Sequence, residues 1–343
     1  MAVAVVQPLP GIGDMIWHLP HIRGIAAHVG EPVTLITKPR SAADQIFSAE
    51  RTVRDVFWLD RNPEGRLGKH DGGRGFLRVV HALRARRFDA VYMLHHSRTI
   101  ALTMMLAGIP ARYGYGYGIQ RWFLTRPPIL PNDVLRQHPF EQATAWLRAA
   151  GIPMEQAEPV LPVTQDAKGS VRARLHQGKP RIAIGIGSSE PYKQWGAVRF
   201  AALARALAAR STAELIVVGG RAEAGLAAEI QSLARPAEII TAIGWDLAEI
   251  AALFSLSDCY IGNDTGVMNM AAAVGIPTYC LFGAVPPFYH SSRIVAIIPP
   301  GGVSKSDGMA RLSVEQVLGA IGSRLRPDVT GGSVQMMVDP FSH

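Results

Sequence analysis

The sequence predicts two α/β domains in tandem, each a parallel sheet with helices on both faces, meeting across a cleft. Three observations carry this. Short apolar runs alternate with stretches whose apolar residues recur at helical spacing; one proline-dense stretch interrupts the alternation; the same rhythm then begins again. At roughly 100–200 residues per domain, 343 residues accommodate two such units. Apolar residues make up 48% and charged residues 18%, which suits packed cores and argues against disorder.

Taken in order, Val3–Gln7 reads as a strand and Asp14–Val29 as a helix, with Met15, Ile16, Leu19, Ile22, Ile25, Ala26 and Val29 on its apolar face. Strand Val33–Thr37, helix Ala42–Ala49 and strand Val53–Leu59 follow. The Gly-, Asn- and charge-rich stretch Arg61–Arg74 reads as an exposed loop. Helix Phe76–Arg86, strand Ala90–Leu94 and helix Thr99–Ala107 complete the first set. Prolines crowd between Pro127 and Pro162, which predicts a linker near Pro159–Pro162 and domains at 1–160 and 161–326. The second set is strand Ile182–Ile186, helix Val198–Ala209, strand Leu215–Val218, helix Ala224–Ala234 and strand Ile239–Ile243. It continues through helix Leu247–Ser255, strand Cys259–Ile261, helix Gly266–Val274, strand Thr278–Phe282 and a closing helix Val314–Leu325. Residues 327–343 are polar and Gly-rich and read as a mobile tail. Paired α/β domains bind ligands at the carboxyl ends of their strands.

The formal charge of +8 is uneven. Residues 1–160 hold 19 Lys+Arg against 13 Asp+Glu, a net +6, whereas residues 161–343 hold 16 against 14, a net +2. The N-terminal half is therefore the one to attract a phosphorylated substrate, an anionic membrane surface or nucleic acid, unless the charge serves solubility alone. Aromatic residues are sparse among the basic segments, so no nucleic-acid partner is expected. Cys259 and Cys280 lie in apolar runs and read as buried free thiols, as in a reducing cytoplasm. No apolar run approaches the roughly 18–20 residues of a membrane span. The first residues lack a basic leader region and reach Asp14 quickly.

Three constellations could carry chemistry. Gly11-Ile12-Gly13-Asp14 follows the first strand and opens a helix, where the glycines permit a tight turn and the helix end offers unpaired N–H groups. A dinucleotide site would continue G-x-G-x-x-G. Here a carboxylate would oppose a pyrophosphate, so that reading fails. Asp14 is either a helix cap or a general base; as a base, the helix N-terminus would help to keep it ionised. The second is Gly185-Ile-Gly-Ser188-Ser189-Glu-Pro-Tyr-Lys193-Gln-Trp195, whose hydroxyls and lysine suit a diphosphate, with an ordinary surface loop as the plain alternative. The third runs from Ile261 through Asp264-Thr265-Gly266 to Pro277. A strand ends and a small-residue helix begins at once, giving either a phosphate seat or an Asx turn with a cap.

This ordered set resembles glycosyltransferase family 9, the bacterial ADP-heptose:lipopolysaccharide heptosyltransferases. It comprises a Gly-Asp after strand one, a Lys-x-Trp loop and an Asp-Thr-Gly-x-x-x-x-Ala-Ala-Ala helix. The stretches Leu94-His-His-Ser-Arg-Thr-Ile-Ala-Leu and Ala107-Gly-Ile-Pro-Ala-Arg-Tyr-Gly-Tyr look like the heptosyltransferase II branch, and the resemblance covers about residues 3–325. It implies a GT-B fold, with acceptor bound by residues 1–160 and nucleotide-sugar donor, as ADP-heptose, by residues 161–326. Asp14 then falls on the family's general base beside Gly13, and Lys193 on its phosphate-binding lysine, with Ser188 and Ser189 at the preceding hydroxyls. Asp264, Thr265, Gly266 and Asn269 fall on the donor motif, and Glu223 near the nucleoside. Two positions depart from the family: Asn269 stands where it usually has His, and Gly196 where it often has Pro.

The implied reaction is one in-line displacement at the anomeric carbon. Asp14 takes the acceptor proton, while Lys193, both serines and the helix amides at Thr265–Gly266 hold the departing diphosphate. No cofactor is expected. No cluster has metal-ligand spacing, and the adjacent His95 and His96 should point to opposite faces of a strand end, so no metal is assigned. Arg98, Arg112 and Arg121, read as cleft-side loop residues, are the candidates for an anionic glycan or glycolipid acceptor. The expected location is cytoplasmic, extending to peripheral contact with the inner membrane. Two rivals are a nucleotide-sugar epimerase of similar build, for which no acid/base set on the sugar ring is evident, and a non-catalytic nucleotide-sugar-binding protein.

Overall fold

The computed structural model describes residues 1–62 and 65–322. The N-terminal domain holds strands β1 (Val3–Val6), β2 (Val33–Thr37), β3 (Val53–Trp58), β4 (Ala90–Met93) and β5 (Ala111–Gly114). Its helices are α1 (Ile12–Trp17), α2 (Leu19–Val29), α3 (Ala43–Ile46), α4 (Gly72–Ala85), α5 (Arg98–Leu106) and α6 (Pro139–Ala149), and α7 (Gln165–Arg172) follows. The C-terminal domain holds β6 (Arg181–Gly185), β7 (Glu214–Gly219), β8 (Ile239–Ile243), β9 (Cys259–Asn263), β10 (Thr278–Leu281) and β11 (Ile294–Ile297). Its helices are α8 (Ala197–Ala208), α9 (Ala224–Ala234), α10 (Leu247–Ser255), α11 (Gly266–Val274), α12 (Gly308–Arg311) and α13 (Val314–Ile321).

Both sheets are parallel, in the orders β3-β2-β1-β4-β5 and β11-β10-β9-β6-β7-β8. Their strands are near-continuous apolar runs because helices cover both faces. In β1 the alternation is visible: Ala4 and Val6 pack under α4 and α5 with Val79, Leu83 and Met104, while Val3 and Val5 face the opposite core. That second core joins Met15, Ile22 and Trp146 to Leu253, Phe254 and Met268, so the inner layers of the two domains share one apolar cluster. A separate core under α8 and α9 gathers Ile184, Phe200, Leu203 and Val217.

Several predicted elements need correction. The helix expected over Asp14–Val29 starts earlier, at Ile12, and is broken into α1 and α2 at His18. Pro20 sits in the first turn of α2, where its missing N–H removes no helical bond. The proline-dense stretch contains α6, whose first residue is Pro139 for the same reason. Strands β5 and β11 and helix α7 were also unforeseen. Helix α6 packs against α2, and α7 against α10, so the chain crosses between domains within 150–164. The end of the helix expected over Val314–Leu325 and the tail expected at 327–343 lie outside the described residues.

Candidate active site

In each sheet, consecutive strands proceed outward in one direction and then in the other. The switch falls between β1 and β4 in the first sheet and between β6 and β9 in the second. Crevices outside the carboxyl ends of strands open at such points. β1 leads through Gly11 into the first turn of α1 with Asp14, the segment after β4 carries His95–Ser97, the loop after β6 carries Ser188–Lys193, and β9 is followed by Asp264 and Thr265. Topology thus gathers the three predicted constellations at one place.

The domains touch there. Helix α1 packs against α11, and glycines permit the approach. A Cβ on Gly13 would lie 2.8 Å from Asn269 Nδ2, and one on Gly266 would lie 2.7 Å from Ile12 Cβ and 2.9 Å from the Gly13 nitrogen. Gly11 has φ −80° and ψ 145°, which any residue adopts, so the need is not the tight turn the sequence suggested. A Cβ there would stand 2.6 Å from Asp14 Oδ2. Gly11 therefore makes room for the carboxylate.

Asp14 is the third residue of α1. Its Oδ2 accepts the Gly11 N–H at 3.1 Å, half of a capping box, and Oδ1 makes no hydrogen bond among the described residues. Burial raises the Asp14 pKa, and the Gly11 N–H only partly offsets it. The expectation that the helix end holds Asp14 ionised is thus outweighed by desolvation, in the direction that suits a base working near neutrality. Beneath it, His18 Nδ1 donates to the Asp14 carbonyl at 2.7 Å. The His18 ring is wholly buried, and burial pulls its pKa down to about 4, so it is neutral.

On the C-terminal side, Lys193 Nζ lies 2.6 Å from Asp264 Oδ2, each side chain about one-fifth exposed. Thr265 caps α11 through the Met268 N–H at 3.5 Å, and a helix leaves its first amides without internal partners. Ser188 Oγ donates to the Glu190 carbonyl at 2.6 Å, which folds the loop on itself, and Ser189 is exposed. Glu223 follows β7, its Oε2 about 3.0 Å from where a Gly220 Cβ would be.

Asn269 is buried and bonded at both ends of its amide. Its Nδ2 donates to the Thr265 carbonyl at 3.0 Å, and its Oδ1 accepts from Trp17 Nε1 at 3.0 Å. The same indole N–H reaches His290 Nε2 at 2.7 Å, a three-centre bond between domains. That bond leaves the His290 proton on Nδ1, which donates to the Phe288 carbonyl at 3.3 Å. Burial lowers the His290 pKa to about 4. Trp17 and His290 had no sequence signal: Trp17 and Asn269 are 252 positions apart.

The N-terminal side of the crevice holds a cavity of about 330 Å³. Lys38 and Arg61 give it positive edges, with Asp71 paired to Arg61; burial lowers the pKa of His95 to about 4 and lowers that of His70, and Phe76 and Met104 form an apolar wall. Sequence reasoning passed over Arg61 and His70 because they read as exposed loop. His95 and His96 do not point apart: their rings stack at 4.6 Å. They follow the end of β4, where strand alternation no longer applies. Of the predicted acceptor arginines, Arg98 is exposed between Ser97 and Thr99, which line the cavity, and Arg121 is exposed with its guanidinium 5.2 Å from the Trp122 ring. Arg112 is not a loop residue. It lies on β5, and its guanidinium donates to the Phe123 carbonyl at 2.6 Å and the Ile109 carbonyl at 2.5 Å, so it is committed to the fold.

The pattern of glycosyltransferase family 9 (heptosyltransferase) matches residues 76–293, more than half of the chain. Lys193 and Asp264 fall inside that span and Asp14 before it. Lipopolysaccharide heptosyltransferase 2 of Salmonella typhimurium is 26% identical over 244 residues, covering 64% of this chain and 68% of the relative. The structure of Escherichia coli ADP-heptose lipopolysaccharide heptosyltransferase II superposes with a TM-score of 0.76 at 21% identity, over 95% of this chain and 98% of that one. A family 9 glycosyltransferase from Veillonella parvula gives 0.77 at 20% identity, over 94% and 97%. The fold is GT-B, and this chain belongs to glycosyltransferase family 9, the heptosyltransferases.

Proposed function

We propose that this chain transfers heptose from ADP-heptose to a hydroxyl of a lipopolysaccharide-core acceptor, inverting the anomeric carbon. The observation that carries the reading is the apposition of α1, which bears Asp14, with the start of α11, beside which Lys193 pairs with Asp264. The donor name comes from the relative whose structure is described as an ADP-heptose enzyme. Residues 161–322 hold the donor, with its diphosphate between Lys193 and the first amides of α11, and residues 1–160 hold the acceptor in the cavity beside His95.

As the acceptor oxygen bonds to the anomeric carbon, its proton passes to Asp14 Oδ1, and the bond to the diphosphate breaks on the opposite side. Lys193 and the helix amides meet the charge that develops on the leaving group. Asp264 keeps the Lys193 ammonium in place, and Lys38 and Arg61 at the cavity, with Arg98 beside it, supply positive charge for a phosphorylated acceptor.

The test is ADP release from ADP-heptose with and without a heptose-deficient core acceptor, with the anomeric configuration of the product read by NMR. Acceptor-dependent release with inversion supports the reading. Conversion of the nucleotide-sugar without acceptor would indicate an epimerase. Tight donor binding without turnover would indicate a non-catalytic protein.

A further inference from the structure

One exposed surface of the N-terminal domain has no part in the reaction proposed above. After β5 the chain makes a short 3₁₀ turn, Gly118–Phe123, that presents Ile119 and Trp122 outward at 52% and 72% exposure. Tyr117, just before the turn, is 51% exposed, and Ile129 is 54% exposed. Ile129 belongs to the same surface, because its side chain fills the space beside Gly116, 2.5 Å from where a Cβ there would be.

This display is held rigidly. Gln120 in the same turn is fully buried; its Oε1 accepts the Gly116 N–H at 2.9 Å and its Nε2 donates to the His95 carbonyl at 2.7 Å. Arg112 fastens the end of the turn through the Phe123 carbonyl. Gln120 thus points inward while Ile119 and Trp122 point outward, the reverse of what their polarity would give in an ordinary surface turn.

The segment that carries it holds charge of one sign. Between Asp89 and Asp133 the chain carries Arg98, Arg112, Arg121 and Arg126 and no acidic residue. Arg121 and Arg126 are exposed beside the apolar tip, and the Arg121 guanidinium lies over the Trp122 ring. A protruding tryptophan with aliphatic neighbours and flanking arginines suits a soft, anionic boundary, where the indole sits at headgroup depth and the guanidinium groups meet phosphates. A folded protein partner would need a pocket shaped for the indole and acids for the arginines.

We propose that Tyr117, Ile119, Trp122 and Ile129 seat this domain on the surface of an anionic lipid bilayer, with Arg121 and Arg126 paired to lipid phosphates. Through the Gln120–His95 bond the seat lies next to the cavity at the carboxyl end of β4, so a headgroup projecting from the bilayer would reach the crevice. The inference rests on this surface and its charge, independently of which sugar is transferred.

The test is sedimentation of the full chain with phosphatidylglycerol-containing vesicles and with pure phosphatidylcholine vesicles. Binding is expected on the anionic vesicles and should fall as salt rises. The double variant I119S/W122S should lose at least about ten-fold in partitioning, and Arg126→Gln roughly five-fold on anionic vesicles only. Trp122→Phe should retain most binding but lose the quenching of tryptophan fluorescence by brominated lipid, read against the unquenched emission of the five other tryptophans. Melting curves establish that each variant is folded. Equal partitioning by wild type and I119S/W122S, or no binding to anionic vesicles, would overturn the proposal. So would Trp122-dependent self-association without lipid, since the face would then be a protein contact.

Discussion

Asp14→Asn separates a base from a cap, and the structure sets both magnitudes. The Asn side-chain oxygen can still accept the Gly11 N–H that Asp14 accepts at 3.1 Å, and Asn caps helices about as well as Asp. What is lost is the favourable charge at a helix N-terminus, about 0.3–1 kcal/mol. What is gained is relief from holding a carboxylate in a desolvated site. The sign follows from the raised pKa: the folded chain binds the Asp14 proton more tightly than the unfolded chain. The group's favourable contribution is therefore complete below the ordinary carboxylate range and is lost as pH rises through the folded value. Once pH has risen past that value Asp14 is in its penalised form, and there a neutral Asn should leave the melting temperature unchanged or raise it. Transfer should nevertheless fall by about 10²–10⁴-fold. In wild type, kcat/KM against pH should show an acid limb above the usual carboxylate range, and the variant should lose that limb. The assay is acceptor-dependent ADP release across pH, beside calorimetric ADP binding. Normal melting with near-wild-type transfer would refute the base, leaving Asp14 as half of a capping box.

Two further substitutions probe the contacts on either side of Asp14. Lys193→Met should weaken ADP binding by roughly 10–100-fold, the worth of one hydrogen bond to a charged group, and it leaves Asp264 unpaired near the diphosphate. The double variant K193M/D264N should accordingly bind ADP better than K193M alone; unchanged affinity in K193M by calorimetry would remove Lys193 from the donor site. Trp17→Phe keeps the packing against His138 and Phe288 but removes the N–H shared by Asn269 and His290. It should lower the transfer rate several-fold while ADP affinity stays within two-fold, by about the rule that a bond remote from the ligand affects placement more than binding. Wild-type turnover would show that the bond between the domains does not position α1.

What was legible in the sequence, and what was not, follows from burial. Strands covered on both faces read as apolar runs, so β1 and β7 stood out. The edge strand β5 is Ala-Arg-Tyr-Gly, half polar, and Arg112 looked like a loop residue because its bonds to the Ile109 and Phe123 carbonyls depend on how the chain returns. Helix α6 was hidden by Pro139, which signals a break unless it is known to be the first residue. Asp14 could be singled out because a strand, two glycines and a helix start lie within a few residues. The Lys193–Asp264 pair could not, since the partners are 71 positions apart and meet only because β6 and β9 are neighbours.

Asn269 shows how a departure from a family pattern can relocate a role. A histidine there could carry charge toward the leaving group, and an asparagine turned to the cleft would keep a donor there. Here it has no charge and its amide is held within the fold: one Nδ2 hydrogen goes to the Thr265 carbonyl, Oδ1 is held by Trp17, and the residue is 3% exposed. The imidazole that shares the Trp17 N–H with it belongs to His290, whose Nε2 lone pair is taken by that indole and whose pKa burial lowers to about 4. Neither group offers a proton or a charge at neutral pH. What they share is the Trp17 N–H, a bond that ties α11 to α1 one turn beyond Asp14, at the point where Gly13 and Gly266 let the helices touch. Under the proposed reaction, the charge that develops on the leaving diphosphate then falls to Lys193 and the amides at the start of α11. That concentration on one lysine is why its substitution should cost more here than in a relative with histidine at this position.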